Sequence, residues 1–256
     1  MATNNKKILM NLLSSHVPGT VHLASWLEKS GISRDLQKYY LKSGWLESYG
    51  VGAFKRPNEN VQWTGALNSL QRQTEMQVHA GGLTSISLQG LSHYVRMENE
   101  PLYMFSPQYV KLPKWFLIQE WSNRIVHVKT KFLPENAALF EYSQDGVMTI
   151  QISSPERAIL ECLYLTPDRF DLVECYQILE GLANLRPKIL EKLLESCNSI
   201  KVKRLFLFMA SKAKHQWLDF LDQSRIELGA GDRVIVKGGV YISKYKISIP
   251  KELSSE

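Results

Sequence analysis

The 256-residue chain contains three cysteines, Cys162, Cys175 and Cys197, widely spaced and without any Cys-x-x-Cys pair. So sparse and odd a set excludes a disulfide framework and a zinc–thiolate site, and fits reduced, buried thiols in a cytosolic protein. Long apolar runs are missing too. The longest, Leu205 to Ala210, has six residues, against the ~20 that a membrane-spanning helix needs. The start, Met1 to Leu13, has two lysines and only a broken apolar stretch, so it reads as a helix and not as a signal peptide. Signatures of catalysis are equally scarce. There is no GxxxxGK(S/T) phosphate loop, no HExxH pair and no GxSxG around Ser153 or Ser154. His79, His93, His127 and His215 are scattered. The clustered carboxylates that a metal-dependent nuclease needs are not found either. The glycines of 229–231 and 238–239 read as turns. No catalytic residue, metal-ligand set or cofactor motif is legible, and an enzyme acting on nucleic acid is the least favoured reading.

What is present is an uneven charge. The net charge is +6, and between Met1 and Arg56 eight lysines and arginines face three acids, an excess of five. A front end this basic points to a polyanion such as nucleic acid. Apolar spacing predicts a helix over 5–14, broken at Pro18-Gly19, and a second helix capped by Thr20 that runs to Gly31. Ser33 is placed to cap a third helix, Arg34 to Ser43, after a very short connection. On that helix Leu36 and Tyr40 point inward with Tyr39 beside them. Arg34, Lys38 and Lys42 recur every four residues on another face, flanked by Gln37. Lysine and arginine neutralise phosphates or reach guanine, and glutamine pairs with adenine. Two β-prone runs around Gly50-Val51-Gly52 follow as a hairpin carrying Lys55 and Arg56. A stripe of cations on one helix is by itself most often a solvated face. The order helix, helix, tight turn, basic helix, basic hairpin is what makes a winged helix-turn-helix the expectation.

A helix from Trp63-Thr64, with Thr64 as cap and Ala66, Leu67 and Leu70 inward, and a short helix over 83–88 extend this front domain to residue 96. From residue 97 the texture changes. Strands are expected over 102–105, 124–132 and 147–152. Helices follow over 155–165, 171–183, 187–197, 199–213 and 215–222, then strands over 233–237 and 245–249. The fold class is therefore α+β: an N-terminal winged domain, 1–96, followed by a larger mixed α/β domain, 97–256. Asp168 and Asp171 read as caps at a helix entry. Lys201, Lys203 and Arg204, with Lys212 and Lys214, form a second basic cluster; it reads first as a solvated helix face, and is the candidate interaction surface of this half.

Several stretches taken together resemble the AbiEi-type antitoxins, the transcriptional regulators of type IV toxin–antitoxin and abortive-infection systems. They are SGISRDLQKYYLKSGWLESYGVGAFKRP (Ser30 to Pro57), WTGALNSLQ (Trp63 to Gln71), HAGGLTSISLQGLSHY (His79 to Tyr94), ISSPERAILECL (Ile152 to Leu163), LEGLANLRP (Leu179 to Pro187), SIKVKRLFLFMA (Ser199 to Ala210) and VKGGVYISKYKISIPKEL (Val236 to Leu253). The resemblance implies a cytoplasmic, non-enzymatic autorepressor that binds inverted repeats of double-stranded DNA in its own promoter. It implies a C-terminal domain that counters a nucleotidyltransferase-like toxin encoded beside it, without requiring a stable complex. By position it places DNA contacts at Ser33, Arg34, Gln37, Lys38, Lys42, Lys55 and Arg56. Lys201, Lys203 and Arg204 are the candidate antitoxic surface. The competing reading is a winged-helix repressor whose C-terminal domain senses a ligand or mediates assembly.

Overall fold

The computed structural model describes residues 2–91 and 100–254. The chain opens with α1 (Ala2–Ser14), β1 (His22–Leu23), α2 (Ala24–Lys29), α3 (Arg34–Lys42), β2 (Glu47–Gly50), β3 (Ala53–Lys55) and α4 (Trp63–Thr74). It continues with β4 (His79–Ala80), α5 (Gly82–Leu88), β5 (Leu102–Ser106), α6 (Lys114–Ile118), β6 (Ile125–Lys129), β7 (Leu139–Tyr142) and β8 (Ile150–Ser153). Four helices follow, α7 (Pro155–Leu165), α8 (Leu172–Gly181), α9 (Pro187–Ser196) and α10 (Ile200–Lys212). Short strands β9 (Arg233–Val234), β10 (Val240–Ile242) and β11 (Ile247–Ile249) end the chain.

These elements form two compact units that are not consecutive in sequence. One comprises Met1–His79, Tyr109–Ile125 and Glu141–Gln151; the other comprises Ala80–Gln108, Val126–Phe140 and Ile152–Glu256. The chain passes from one unit to the other inside β4, β6, β7 and β8, and between Gln108 and Tyr109 after β5. The single boundary expected after residue 96 lies outside the described residues, as does His93.

In the first unit, Leu12, Leu27, Ile32, Tyr40 and Leu46 form a small core that gathers α1, α2 and α3. Helix α2 ends at Ser30, and Gly31 at φ +85° reverses the chain so that Ile32 can turn inward. Only glycine takes that conformation without a steric cost. Ser33 then caps α3 by accepting the Leu36 N–H at 3.3 Å. The hairpin β2–β3 is antiparallel, and β1 joins it on the β3 side, with His22 opposite Phe54. Strand β1 was not expected. Thr20 does not cap a helix; its hydroxyl donates to the Val17 carbonyl at 2.6 Å, closing a turn that leads into the strand. Helix α4 covers the other side of β1: Ser69 accepts the Val21 N–H at 2.8 Å, and Gln73 both accepts from Leu23 N–H and donates to the Val21 carbonyl. Side chains thus satisfy an edge that would otherwise invite another strand. The α4 cap position is Gln62 and not Thr64, while Ala66, Leu67 and Leu70 are buried as expected.

The second unit has the larger core, built from α7, α8, α9 and α10 with Leu83, Ile86, Phe105 and Phe132. The strand order of the five-stranded sheet is β6-β5-β4-β8-β7, with β4 parallel to β8 through Ala80 and Ile152. Helix α7 begins where the sequence predicts. Ser154 accepts the Arg157 N–H, Pro155 occupies the first turn and Glu156 follows. Asp171 caps α8 through the N–H groups of Val173 and Glu174, and Ser199 caps α10 through Val202. Strand β6 stops at Lys129, short of the expected residue 132, where the Thr130 hydroxyl accepts the Phe132 N–H and turns the chain. The two-residue β4, the four-residue β7, β10 and the one-turn α6 were not foreseen.

Candidate nucleic-acid interface

The order α1, β1, α2, α3, β2, β3, with β1-β3-β2 as a small sheet, supplies each element that the expected basic surface requires. On α3, Ser33, Arg34, Lys38 and Lys42 are exposed. Four-residue spacing advances about 40° around a helix, so the three cations form one slightly slanted row. Acids on the same elements temper the row. Arg34 Nε donates to Glu28 of α2 at 2.7 Å, and Lys38 donates to Asp35 at 3.3 Å. The hydrogen bond from Arg34 lowers the Glu28 pKa and raises that of the guanidinium. Both pairs lie in water, where such contacts contribute little and exchange readily for a phosphate. Among the described residues Lys42 has no ion-pair partner.

Gln37 corrects the expectation. It is 2% exposed, and its amide donates to the Ala24 carbonyl at 3.1 Å and the Ile32 carbonyl at 2.9 Å. Both amide hydrogens are therefore used to hold α3 against α2 and the turn, and none is left for a base. Tyr39 departs in the other direction: placed inward by the sequence reading, it is 61% exposed, beside Lys38 on the outer face. Its neighbour Tyr40 takes the buried site, because a 100° step puts only one of two adjacent rings in the core.

The hairpin is less free than its charges suggest. Lys55 Nζ donates to the Glu59 carbonyl at 3.0 Å and lies 3.4 Å from the Glu47 carboxylate, so it is committed to the hairpin and the segment after it, and is half-buried. Arg56 follows the strand and is half-exposed, with no ion-pair partner among the described residues. Val51, at the tip, is 97% exposed. The base of the hairpin rests on a segment from much later in the chain. A Cβ at Gly50 would come within 2.5 Å of Trp115 Cβ, and Tyr49 packs edge-on to Trp115 and near Trp121. Glycine at 50 is thus required by the close approach of α6.

Beneath the hairpin lies a group that sequence spacing did not reveal. His16 Nε2 meets both oxygens of Glu59 at 2.9 Å, and Glu59 also accepts the Gly19 N–H. The His22 ring stacks on Trp26 and faces His16, and among the described residues neither ring nitrogen has a hydrogen-bond partner. Burial, and then the neighbouring His16, lower the His22 pKa to about 4.

The first part of the second basic cluster, Lys201 to Arg204, is not a surface, whereas Lys214 is exposed. Arg204 is 1% exposed, and its guanidinium donates to the carbonyls of Leu228, Gly229, Gly231 and Lys246 at 2.7 to 3.0 Å. It fastens the C-terminal strands to α10. Lys203 is buried as well. Lys201 is half-buried, and its ammonium donates to the carbonyls of Tyr164 and Thr166. Lys203 and Arg204 therefore present no exposed face to a partner. The helix is buried nearly all round, and Lys201 and Arg204 are held there by backbone carbonyls. The three thiols are buried, and burial raises their pKa, so none is activated.

Two family models match the chain. One, described as transcriptional regulator, AbiEi antitoxin, Type IV TA system, matches residues 99–250; the other, the AbiEi antitoxin N-terminal domain, matches residues 5–97. Among solved structures, the RV2827C protein from Mycobacterium tuberculosis is similar, with a TM-score of 0.59 and 13% identity. That match covers 96% of this chain and 90% of the other; at such identity the likeness is one of fold alone. No curated protein matches. No helix among the described residues is long and apolar enough to cross a membrane.

Proposed function

This chain belongs to the AbiEi family of type IV toxin–antitoxin regulators, and from that premise we propose that α3 and the β2–β3 hairpin form a winged helix-turn-helix that binds double-stranded DNA. The reading rests on one observation: Arg34, Lys38 and Lys42 stand exposed in a row on the helix that follows the α2–α3 turn. Helix α3 enters the major groove. Ser33 and the first turn of α3 sit at a phosphate, and Arg56 reaches the backbone beside the hairpin. Lys55 supports the hairpin more than it contacts DNA. The target is an inverted repeat in the protein's own promoter. Occupying it represses the operon, while the protein counters a nucleotidyltransferase-like toxin encoded next to it.

The test is a titration of fluorescent promoter DNA at several salt concentrations. Lys38→Ala and Arg34→Ala are each expected to reduce affinity. Where the lost contact is to phosphate, the log–log salt slope drops by about one unit; where it is to a base, the cost is ~1–3 kcal/mol with relaxed specificity at that position. Unchanged binding in both variants removes α3 as the reading helix. Co-expression with the neighbouring gene tests the second half: growth rescue that survives loss of DNA binding separates antitoxicity from repression.

A further inference from the structure

The second unit contains a cleft of about 560 Å3 that the DNA-binding reading does not use. It is lined by His127 and Lys129 of β6, Tyr164 of α7, Asp168 and Arg169 of the following loop, and Lys201 in the first turn of α10. That size suits a small molecule. Three cations face one carboxylate. Lys129 and Arg169 are exposed and, among the described residues, have no ion-pair partner, so an anion entering the cleft displaces no bridge within that set. Lys201 is fixed in place. Two of its three N–H donors go to the Tyr164 and Thr166 carbonyls, which leaves the third for a ligand. The Tyr164 ring beside it is itself held, stacked on Phe132 at 4.3 Å.

Electrostatics points the same way as the geometry. Burial lowers the Lys201 pKa, and Asp168 only partly offsets this. Burial, then Lys129, lower the His127 pKa to about 4, while its Nε2 is held by the Ser106 hydroxyl at 2.7 Å. Only the Lys129 charge, which adds to burial in lowering the His127 pKa, is of the kind that a bound anion offsets. Lysine and arginine side chains arriving from three separate elements match a multiply charged, multi-oxygen group better than a single carboxylate.

We propose that this cleft binds a phosphate-bearing small molecule, as free polyphosphate or as a nucleoside polyphosphate, through Lys129, Arg169 and Lys201. The C-terminal domain is then a ligand-responsive one, whatever the front domain binds. The experiment is calorimetric titration of the full chain with inorganic pyrophosphate at constant ionic strength, for the wild type, Lys129→Ala/Arg169→Ala and Lys38→Ala/Lys42→Ala. The expected result is saturable one-to-one binding, weakened at least tenfold by the first double substitution and unchanged by the second. Both substituted residues of the first pair are exposed, so an unchanged melting temperature without ligand is expected and confirms an intact fold. A nucleoside triphosphate that binds tighter than pyrophosphate identifies the ligand as a nucleotide; equal affinity identifies the polyphosphate group alone. No saturable heat up to millimolar pyrophosphate overturns the proposal, as does equal affinity in the wild type and Lys129→Ala/Arg169→Ala. Binding lost only in Lys38→Ala/Lys42→Ala overturns it too, by assigning the anion to the front end. Promoter binding, read separately, fails or succeeds independently of all these outcomes.

Discussion

Gln37 and Arg204 are residue types that ordinarily reach for partners outside a protein, and each is used within it. Gln37→Ala leaves the Ala24 and Ile32 carbonyls without the donors they now have, and is expected to lower unfolding free energy by about 1–3 kcal/mol. Any effect on DNA affinity should come only through that loss, with base preference unchanged. Arg204→Met exposes four carbonyls to a dry interior at once and is expected to cost ~3 kcal/mol or more in urea denaturation. Loss of antitoxicity at full stability would instead make Arg204 a contact residue. His22 offers a pH test. Its folded pKa, about 4, lies below the ordinary 6.5 because burial and then His16 disfavour the cation, with Glu59 opposing and Arg56 adding. The unfolded chain therefore binds the proton more readily. Stability is complete above pH 6.5 and declines as pH falls through 4. His127 contributes in the same direction. His22→Phe, which keeps the stack on Trp26, is expected to flatten the melting temperature over that window. A slope identical to the wild type would show that His22 does not carry it.

At the scale of elements, helices with local caps are the best-read parts of the sequence. Ser33, Ser154 and Asp171 each cap a helix where the sequence suggests, because a cap needs only its own next three N–H groups, and Ser199 caps α10 at the start of the range expected for it. Short strands fared differently. Nothing within His22-Leu23 or His79-Ala80 specifies extension; β1 exists because β3 and the side chains of α4 receive its backbone. Helix α7 carries an element-scale prediction. Burial pushes the Glu156 carboxyl up, but hydrogen bonds from Arg186 and Ser154 outweigh it and bring the pKa to about 2. Its contribution is fully present above the ordinary 4.5 and is lost as pH falls through 2. Glu156→Gln, which keeps the shape and loses the charge, is expected to be less stable near pH 7 and to show a shallower acid transition. Equal stability of the two proteins at both pH values would remove the Glu156–Arg186 pair from the account.

At the scale of the whole molecule, the units are not consecutive segments, and this bears on how the protein can be divided. A fragment ending near residue 97 keeps α3 and the hairpin but loses Trp115 and Trp121, on which Tyr49 and Gly50 rest. A fragment beginning near 98 loses α5, whose Gly82 N–H and Ser85 hydroxyl bond Glu161 and the Ser153 carbonyl in the second core. Both fragments are expected to melt well below the full chain and to be cut faster by protease. Two fragments as stable as the parent would mean that the later segments add nothing to either unit.

The sequence alone determined what depends on neighbours along the chain. That includes the basic row of α3, the capped helices, the glycine-turned hairpin and the family likeness carried by ordered motifs. Tertiary structure alone decided which polar groups are left for a partner. Gln37 and Arg204 went inside because backbone carbonyls of other elements were there to receive them. Lys129, Arg169 and Lys201, far apart in sequence, came to share one cleft. A side chain's availability is settled by what packs against it, and that comes from other elements, five to forty-two positions away for Gln37 and Arg204.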